Sequence, residues 1–242
     1  MPAITVTDVY KSFRIYADRS RTLKDCILSP HRSRFALHPV LCGVSLTVET
    51  GETVGLIGRN GCGKSTLLKI ISRILYPDSG TAAVSGRVSS LLELGAGFHP
   101  DLTGRENVYA NAAVFGLSRR ETGKRLPDII DFSGLADCID RPVRTYSSGM
   151  YMRLAFSVAM HVQADILLLD EILAVGDAAF QAKCTARLRA MRASGVTAVI
   201  VSHSTEQLRT LCSRIVWLEN GTVRADGSPE EILPAYLAAC GQ

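Results

Sequence analysis

Four short runs along the chain are apolar at almost every position: Val54–Ile57, Ile166–Leu169, Val196–Val201 and Ile215–Leu218. Continuous apolarity over four to six residues predicts strands covered on both faces, the pattern of a parallel sheet. The first three runs end on flexible or reactive residues, namely Gly58, Asp170-Glu171 and Ser202-His203. Such residues at the carboxyl ends of buried strands mark the ligand edge of an open parallel sheet. Helices are predicted at Thr66–Leu75 and Glu206–Cys212. From about 101 to 162 the pattern changes. Thr103-x-x-Glu106 and Ser118-x-x-Glu121 have the spacing of capping boxes, in which side chains satisfy the first orphan amides of a helix. Pro127 and Gly134 are expected to break the chain there, giving two or three short helices and a helical lobe inserted into the sheet. Further on, Trp217–Val223 reads as a hairpin turning at Asn220-Gly221. Ser228-Pro229-Glu230-Glu231 starts a last helix, with proline in its first turn.

Composition narrows the class. The chain has 242 residues, 47% hydrophobic and 21% charged, which suits a single large domain and excludes disorder. No stretch approaches the roughly 18–20 uncharged residues of a membrane-spanning helix. The opening MPAITVTDVYKSF lacks the apolar core of a signal peptide, so a cytoplasmic location is expected. Seven cysteines are scattered without a C-x-x-C pair, which supports neither a disulfide framework nor a zinc site. The net charge of +4 sits entirely between residues 14 and 38, where Arg14, Arg19, Arg21, Lys24, Arg32 and Arg34 face only Asp18 and Asp25. This segment also holds Pro30, and Pro39 directly follows it. It is expected to be an inserted loop or short helices, either a solvated surface or a functional basic patch. Charge balance elsewhere argues against a nucleic-acid partner.

The strongest chemical signal is Gly58-Arg59-Asn60-Gly61-Cys62-Gly63-Lys64-Ser65-Thr66, a G-x-x-x-x-G-K-[ST] phosphate loop between the strand TVGLI and the helix TLLKIIS. Its glycines leave room for successive backbone amides to converge on phosphate oxygens, and the helix N-terminus adds partial positive charge. Lys64 would reach the β- and γ-phosphates, and Ser65 would offer its hydroxyl to Mg2+. Ile166–Glu171 brings two adjacent carboxylates to the same sheet edge. Asp170 would hold Mg2+ through water and Glu171 would polarise the attacking water as general base. His203 ends a third strand at that edge.

Tyr146-Ser147-Ser148-Gly149-Met150 opens a helix over Tyr151–His161, where small residues expose amides and hydroxyls toward an anion. Lying between a phosphate loop and an Asp-Glu strand end with a downstream His, it resembles the signature of an ABC ATPase domain over nearly the whole chain. The segments 91–107, 146–159 and 170–181 and the basic insertion further resemble the ATPase subunits of bacterial polysaccharide exporters, those for O-antigen, capsular polysaccharide and teichoic acid. The implied fold is α/β: a P-loop NTPase with a mostly parallel core sheet, antiparallel β elements and an inserted helical lobe. It implies one domain over 1–242, with the basic insertion at 14–38, a RecA-like core at about 40–95 and 163–242, and the lobe at about 101–162. The chain stops after its final predicted helix, so no C-terminal carbohydrate-binding domain is expected.

The resemblance also implies a mechanism. Two ATP molecules with Mg2+ would be buried in a head-to-tail homodimer. Ser147, Ser148, Gly149, Met150 and Asp177 of one copy would cover the ATP held by the other copy's loop. Phe13 would stack on adenine, with Tyr16 or Tyr10 as alternatives. His203 would bridge the γ-phosphate and the base. Glu93, or Leu94 after a one-residue shift, stands where most of the family has a glutamine that senses Mg2+ and the membrane partner. The partners implied are two copies of a separate transmembrane subunit and a lipid-linked glycan, with the ATPase peripheral on the cytoplasmic face of the inner membrane. Rival readings are an ABC ATPase for another cargo (lipid, drug or peptide) or one linked to nucleic acid.

Overall fold

A computed structural model describes residues 1–16, 35–92, 94–95, 97–170, 176–202 and 204–241. The central element is a sheet in the order β5 (Val88–Ser90), β6 (Ile166–Asp170), β7 (Thr197–Val201), β3 (Thr53–Ile57), β8 (Arg214–Glu219) and β9 (Thr222–Gly227). The first five strands are parallel and β9 returns antiparallel to β8. Side chains alternate between the two faces with period two, and both faces are covered. Ile166 and Leu168 of β6, Val199 and Val201 of β7, and Val216 and Leu218 of β8 enter one apolar cluster. Leu167, Leu169, Ala198, Ile200, Ile215 and Trp217 enter another on the opposite face. Each fully buried Leu or Ile contributes roughly 1.5–3 kcal/mol relative to exposure, so this double burial selects the strand register.

The first cluster is closed by α1 (Lys64–Ile71) and by a three-stranded antiparallel sheet, β2 (Phe35–Glu49), β1 (Pro2–Tyr16) and β4 (Ser79–Val84). The second is closed by α5 (Ala178–Ala193), α6 (Thr205–Leu211), α7 (Pro229–Cys240) and the end of α4 (Ser148–His161). A third cluster joins α2 (Gly104–Val114), α3 (Arg119–Ser133) and α4 through Val108, Ala112, Leu126, Ile129, Leu154 and Val158. The capping boxes at Thr103/Glu106, Ser118/Glu121 and Ser228/Glu231 all form. So does the two-residue hairpin turn, with Asn220 at φ 48° and Gly221 at φ 77°.

The structure corrects four local expectations. Pro127 does not break the chain but lies inside α3, which ends only at Gly134 in a left-handed cap. A mid-helix proline costs about 3 kcal/mol, and here Leu126 and Ile129 bury against α4 on either side of it. The carbonyl four residues back belongs to Gly123. α1 stops at Ile71 rather than Leu75, because Arg73 adopts φ 61° and the Ile74 and Leu75 amides fold back onto the Lys69 carbonyl at 2.9 and 3.0 Å. α4 starts at Ser148 rather than Tyr151, three residues early, because Ser147 caps it by accepting the Met150 amide at 3.2 Å. The described ends of the 14–38 segment are neither loop nor helix. Phe13↔His38, Arg14↔Leu37, Ile15↔Ala36 and Tyr16↔Phe35 pair as an antiparallel ribbon; residues 17–34, with Arg19, Arg21, Lys24, Arg32 and Arg34, lie outside the described residues.

Candidate functional site

The sheet register assembles the site. Asp170 pairs with Val201, Val201 with Leu56 and Leu56 with Val216, so one row crosses the carboxyl edge of four strands. The loop after β3 and the carboxylate ending β6 therefore open on the same edge.

Backbone conformation shapes the loop. Gly58, Gly61 and Gly63 have φ of 149°, 80° and 108°, values that side chains rarely allow. A Cβ on Gly58 would come within 2.2 Å of the Leu218 carbonyl, and one on Gly63 within 2.8 Å of the Val40 carbonyl. Gly61 has nothing within 4 Å; it faces open space. Lys64 is 7% exposed, and its ammonium donates to the Gly58 and Arg59 carbonyls at 2.7 and 3.1 Å. A cation is thus held inside the loop, within reach of an anion in the cleft above it.

That cleft has a volume of about 450 Å3. Its floor is Asn60, Gly61, Gly63, Lys64, Ser65 and Thr66, and its wall is His38 and Val40 of β2. Ser65 is exposed at the start of α1. β2 reaches the loop because Val40 is an extra residue in the ladder, between Lys11↔Leu41 and Ser12↔Pro39, and such a bulge re-aims a strand. The 220–221 turn supports it from below, the Cys42 amide donating to the Gly221 carbonyl at 2.8 Å. His38 escaped the sequence reading because it fell in the segment taken as an insertion; no local signal marks it. Phe13 sits opposite His38 in the ladder, 38% exposed, with the Lys11 ammonium 5.9 Å from its ring centre.

Asp170 ends β6 with Oδ1 buried and lacking a hydrogen-bond partner among the described residues. An orphaned carboxylate oxygen beside a phosphate loop fits an outer-sphere Mg2+ ligand. The described residues hold no cluster of three His, Cys, Asp or Glu side chains. Glu93, Glu171 and His203 lie outside the described residues. Next to position 203, the Ser202 hydroxyl donates to Gln207 Oε1 at 3.0 Å, and Ser204 caps α6. Tyr151 of α4 donates to the Gly95 carbonyl at 2.9 Å, tying Gly95 to that helix.

The 146–150 segment is anchored at one end and open at the other. The Tyr146 hydroxyl donates to the Cys138 carbonyl at 2.8 Å, and burial pushes its phenol up to about 12. Ser147 and Ser148 are exposed, whereas Gly149 and Met150 are half-buried. Asp177 caps α5 by accepting the Phe180 amide at 2.8 Å, and its other oxygen lies 3.8 Å from Arg153 of α4. Neither 146–150 nor Asp177 contributes to the lining of the phosphate cleft.

The profile of the ABC transporter family matches residues 41–174, which spans the phosphate loop, the 146–150 segment and Asp170. The chain belongs to that family. This ABC ATPase is 46% identical over 242 residues to the O-antigen export system ATP-binding protein RfbB of Klebsiella pneumoniae, covering 98% of each chain. It is 41% identical to the teichoic acids export ATP-binding protein TagH of Levilactobacillus brevis, covering 96% of this chain and 64% of that protein. Among solved structures, a dimeric ATP-binding cassette in a post-hydrolysis state with ADP and Pi matches with TM-score 0.75 and 21% identity, over 93% of this chain and 98% of that one. The ATP-binding subunit of an ABC transporter matches with TM-score 0.77 and 23% identity, over 97% and 93%. These matches agree with the α/β fold described above. Among the described residues no helix is long and apolar enough to cross a membrane.

Proposed function

We propose that this ABC ATPase powers export of a lipid-linked polysaccharide, of O-antigen, capsular or teichoic-acid type, across the cytoplasmic membrane through a separate transmembrane subunit. The observation that carries the reading is a glycine-built cradle around Lys64, on a chain similar from end to end to an O-antigen export ATP-binding protein. ATP would lie in the cleft with its phosphates on the amides of Asn60–Thr66 and its base toward His38 and Phe13. Lys64 would exchange its two carbonyl acceptors for phosphate oxygens. Mg2+ would be held by Ser65, by Asp170 through water and by Glu93 on the sequence reading, and would neutralise phosphate charge. Glu171 would take the proton of the attacking water, and His203 would position it against the γ-phosphate.

Ser147 and Ser148 stand exposed at a helix N-terminus away from their own chain's cleft. This supports a head-to-tail homodimer in which they and Gly149, Met150 and Asp177 cover the partner's ATP. The 101–162 lobe and the loop around Glu93 would then carry closure to two copies of the membrane subunit, with the ATPase peripheral on the cytoplasmic face. Depleting the chain in its host should leave completed glycan inside the cell and remove it from the surface. Unchanged surface glycan would refute the cargo, and absence of ATP hydrolysis by the co-purified complex would refute the engine.

A further inference from the structure

A second cavity, of about 280 Å3, lies behind the phosphate loop. Gly58 and Lys64 line it, as do Tyr236, Leu237 and Cys240 of α7. Cys240 lines this space, and Cys62 packs against two of its other lining residues, Gly58 and Lys64. Cys62 is buried, its Sγ 4.0 Å from Lys64 Nζ and so close to Gly58 that a Cβ there would meet it at 2.6 Å. Cys240 is half-buried and lines the cavity beside Tyr236. Burial above all holds the Tyr236 phenol above its ordinary value. Arg59 of the loop donates to the carbonyl of Ala239, the residue before Cys240, at 3.2 Å. The proposed hydrolysis uses Cys62 only through its backbone amide and Cys240 not at all.

We propose that Cys62 and Cys240 form a reversible oxidation pair that locks the phosphate loop to α7. The oxidant is a peroxide. The more accessible Cys240 thiol takes an oxygen from hydrogen peroxide, giving a sulfenic acid and one water. The Cys62 thiol attacks that sulfur, the S–O bond breaks, the S–S bond forms and a second water leaves. A small dithiol reverses the bond by exchange. A disulfide needs Cβ atoms about 3.8 Å apart, so loop and helix must close across the cavity. That closure pulls on residues 58–64 and keeps Lys64 turned to its carbonyls, which weakens phosphate binding.

The test treats the full chain with hydrogen peroxide, maps unreduced peptides by mass spectrometry and measures affinity for a fluorescent ATP analogue. We expect a Cys62–Cys240 linked peptide, at least a tenfold loss of affinity, and recovery with dithiothreitol. Cys240→Ser and Cys240→Ala should show neither the link nor the loss. No linked peptide, or the same loss in both variants, would overturn the pair. The effect on affinity rests on the ATP reading of the loop, but the sulfur–sulfur bond does not. Reduced protein that never binds ATP would strike the proposed function and leave the peptide map to decide the thiol pair.

Discussion

Replacing the loop glycines one at a time by alanine separates backbone strain from steric collision. All three have positive φ, and holding a non-glycine residue there costs of order 1–3 kcal/mol. Alanine also lowers the entropy of the unfolded chain, which returns about 0.4–1 kcal/mol. At Gly61 nothing lies within 4 Å, so only these two terms act, and Gly61→Ala should cost about 1 kcal/mol. At Gly63 the methyl would meet the Leu41 side chain at 2.6 Å and the Val40 carbonyl at 2.8 Å. The first can swing away and the second moves the bulge, for about 2–3 kcal/mol. At Gly58 the obstacle is the Leu218 carbonyl at 2.2 Å, in a strand paired with β3 through Trp217 and Ile57. Neither side can yield without breaking the ladder, so about 3–5 kcal/mol is expected. For a chain of this size each kcal/mol lowers Tm by about 2–4 °C. Thermal unfolding without nucleotide should therefore rank the variants 61, 63, 58 in rising damage, with Gly58→Ala down by roughly 10 °C. Equal Tm for Gly58→Ala and Gly61→Ala would refute the packing argument.

Glu171→Gln should slow turnover about 10²–10⁴-fold, roughly 3–5 kcal/mol of transition-state stabilisation, while ATP binding persists and dimer accumulates; single-turnover assays and light scattering check both. His38→Ala should weaken ATP binding about tenfold, the scale of one lost aromatic contact of ~1.4 kcal/mol, yet leave inorganic tripolyphosphate binding unchanged. An equal loss for tripolyphosphate would place His38 on the phosphates instead. His161 is held below its ordinary value of 6.5, mainly by burial. The folded state therefore resists a proton that the unfolded chain accepts, so stability falls as pH drops through 6.5 toward the depressed folded value. His161→Gln should flatten that slope in Tm against pH; an unchanged slope would exclude this histidine as the cause.

The four buried strands and the capping boxes at Thr103 and Ser118 were legible because each depends on local periodicity or on residues three apart. Pro127 was misread because a local rule predicts a break, whereas Leu126 and Ile129 bury on either side of it in the helical cluster. Likewise Arg14–Tyr16 and Phe35–His38 look irregular beside a run of arginines. Only their pairing across the ladder makes them strands.

The phosphate loop, its strand and its helix could be read directly, since G-x-x-x-x-G-K-S is a contiguous demand for amides, a cation and a hydroxyl in one turn. Family membership followed from the order of such motifs. What folding alone decided is what surrounds the loop: a bulge at Val40 that brings His38 over the cleft, a hairpin turn that props β2, and a last helix that sets Cys240 behind Lys64. These are meetings between residues far apart in the chain. No spacing encodes them, because they are set by how two sheets and a helix share one apolar interior.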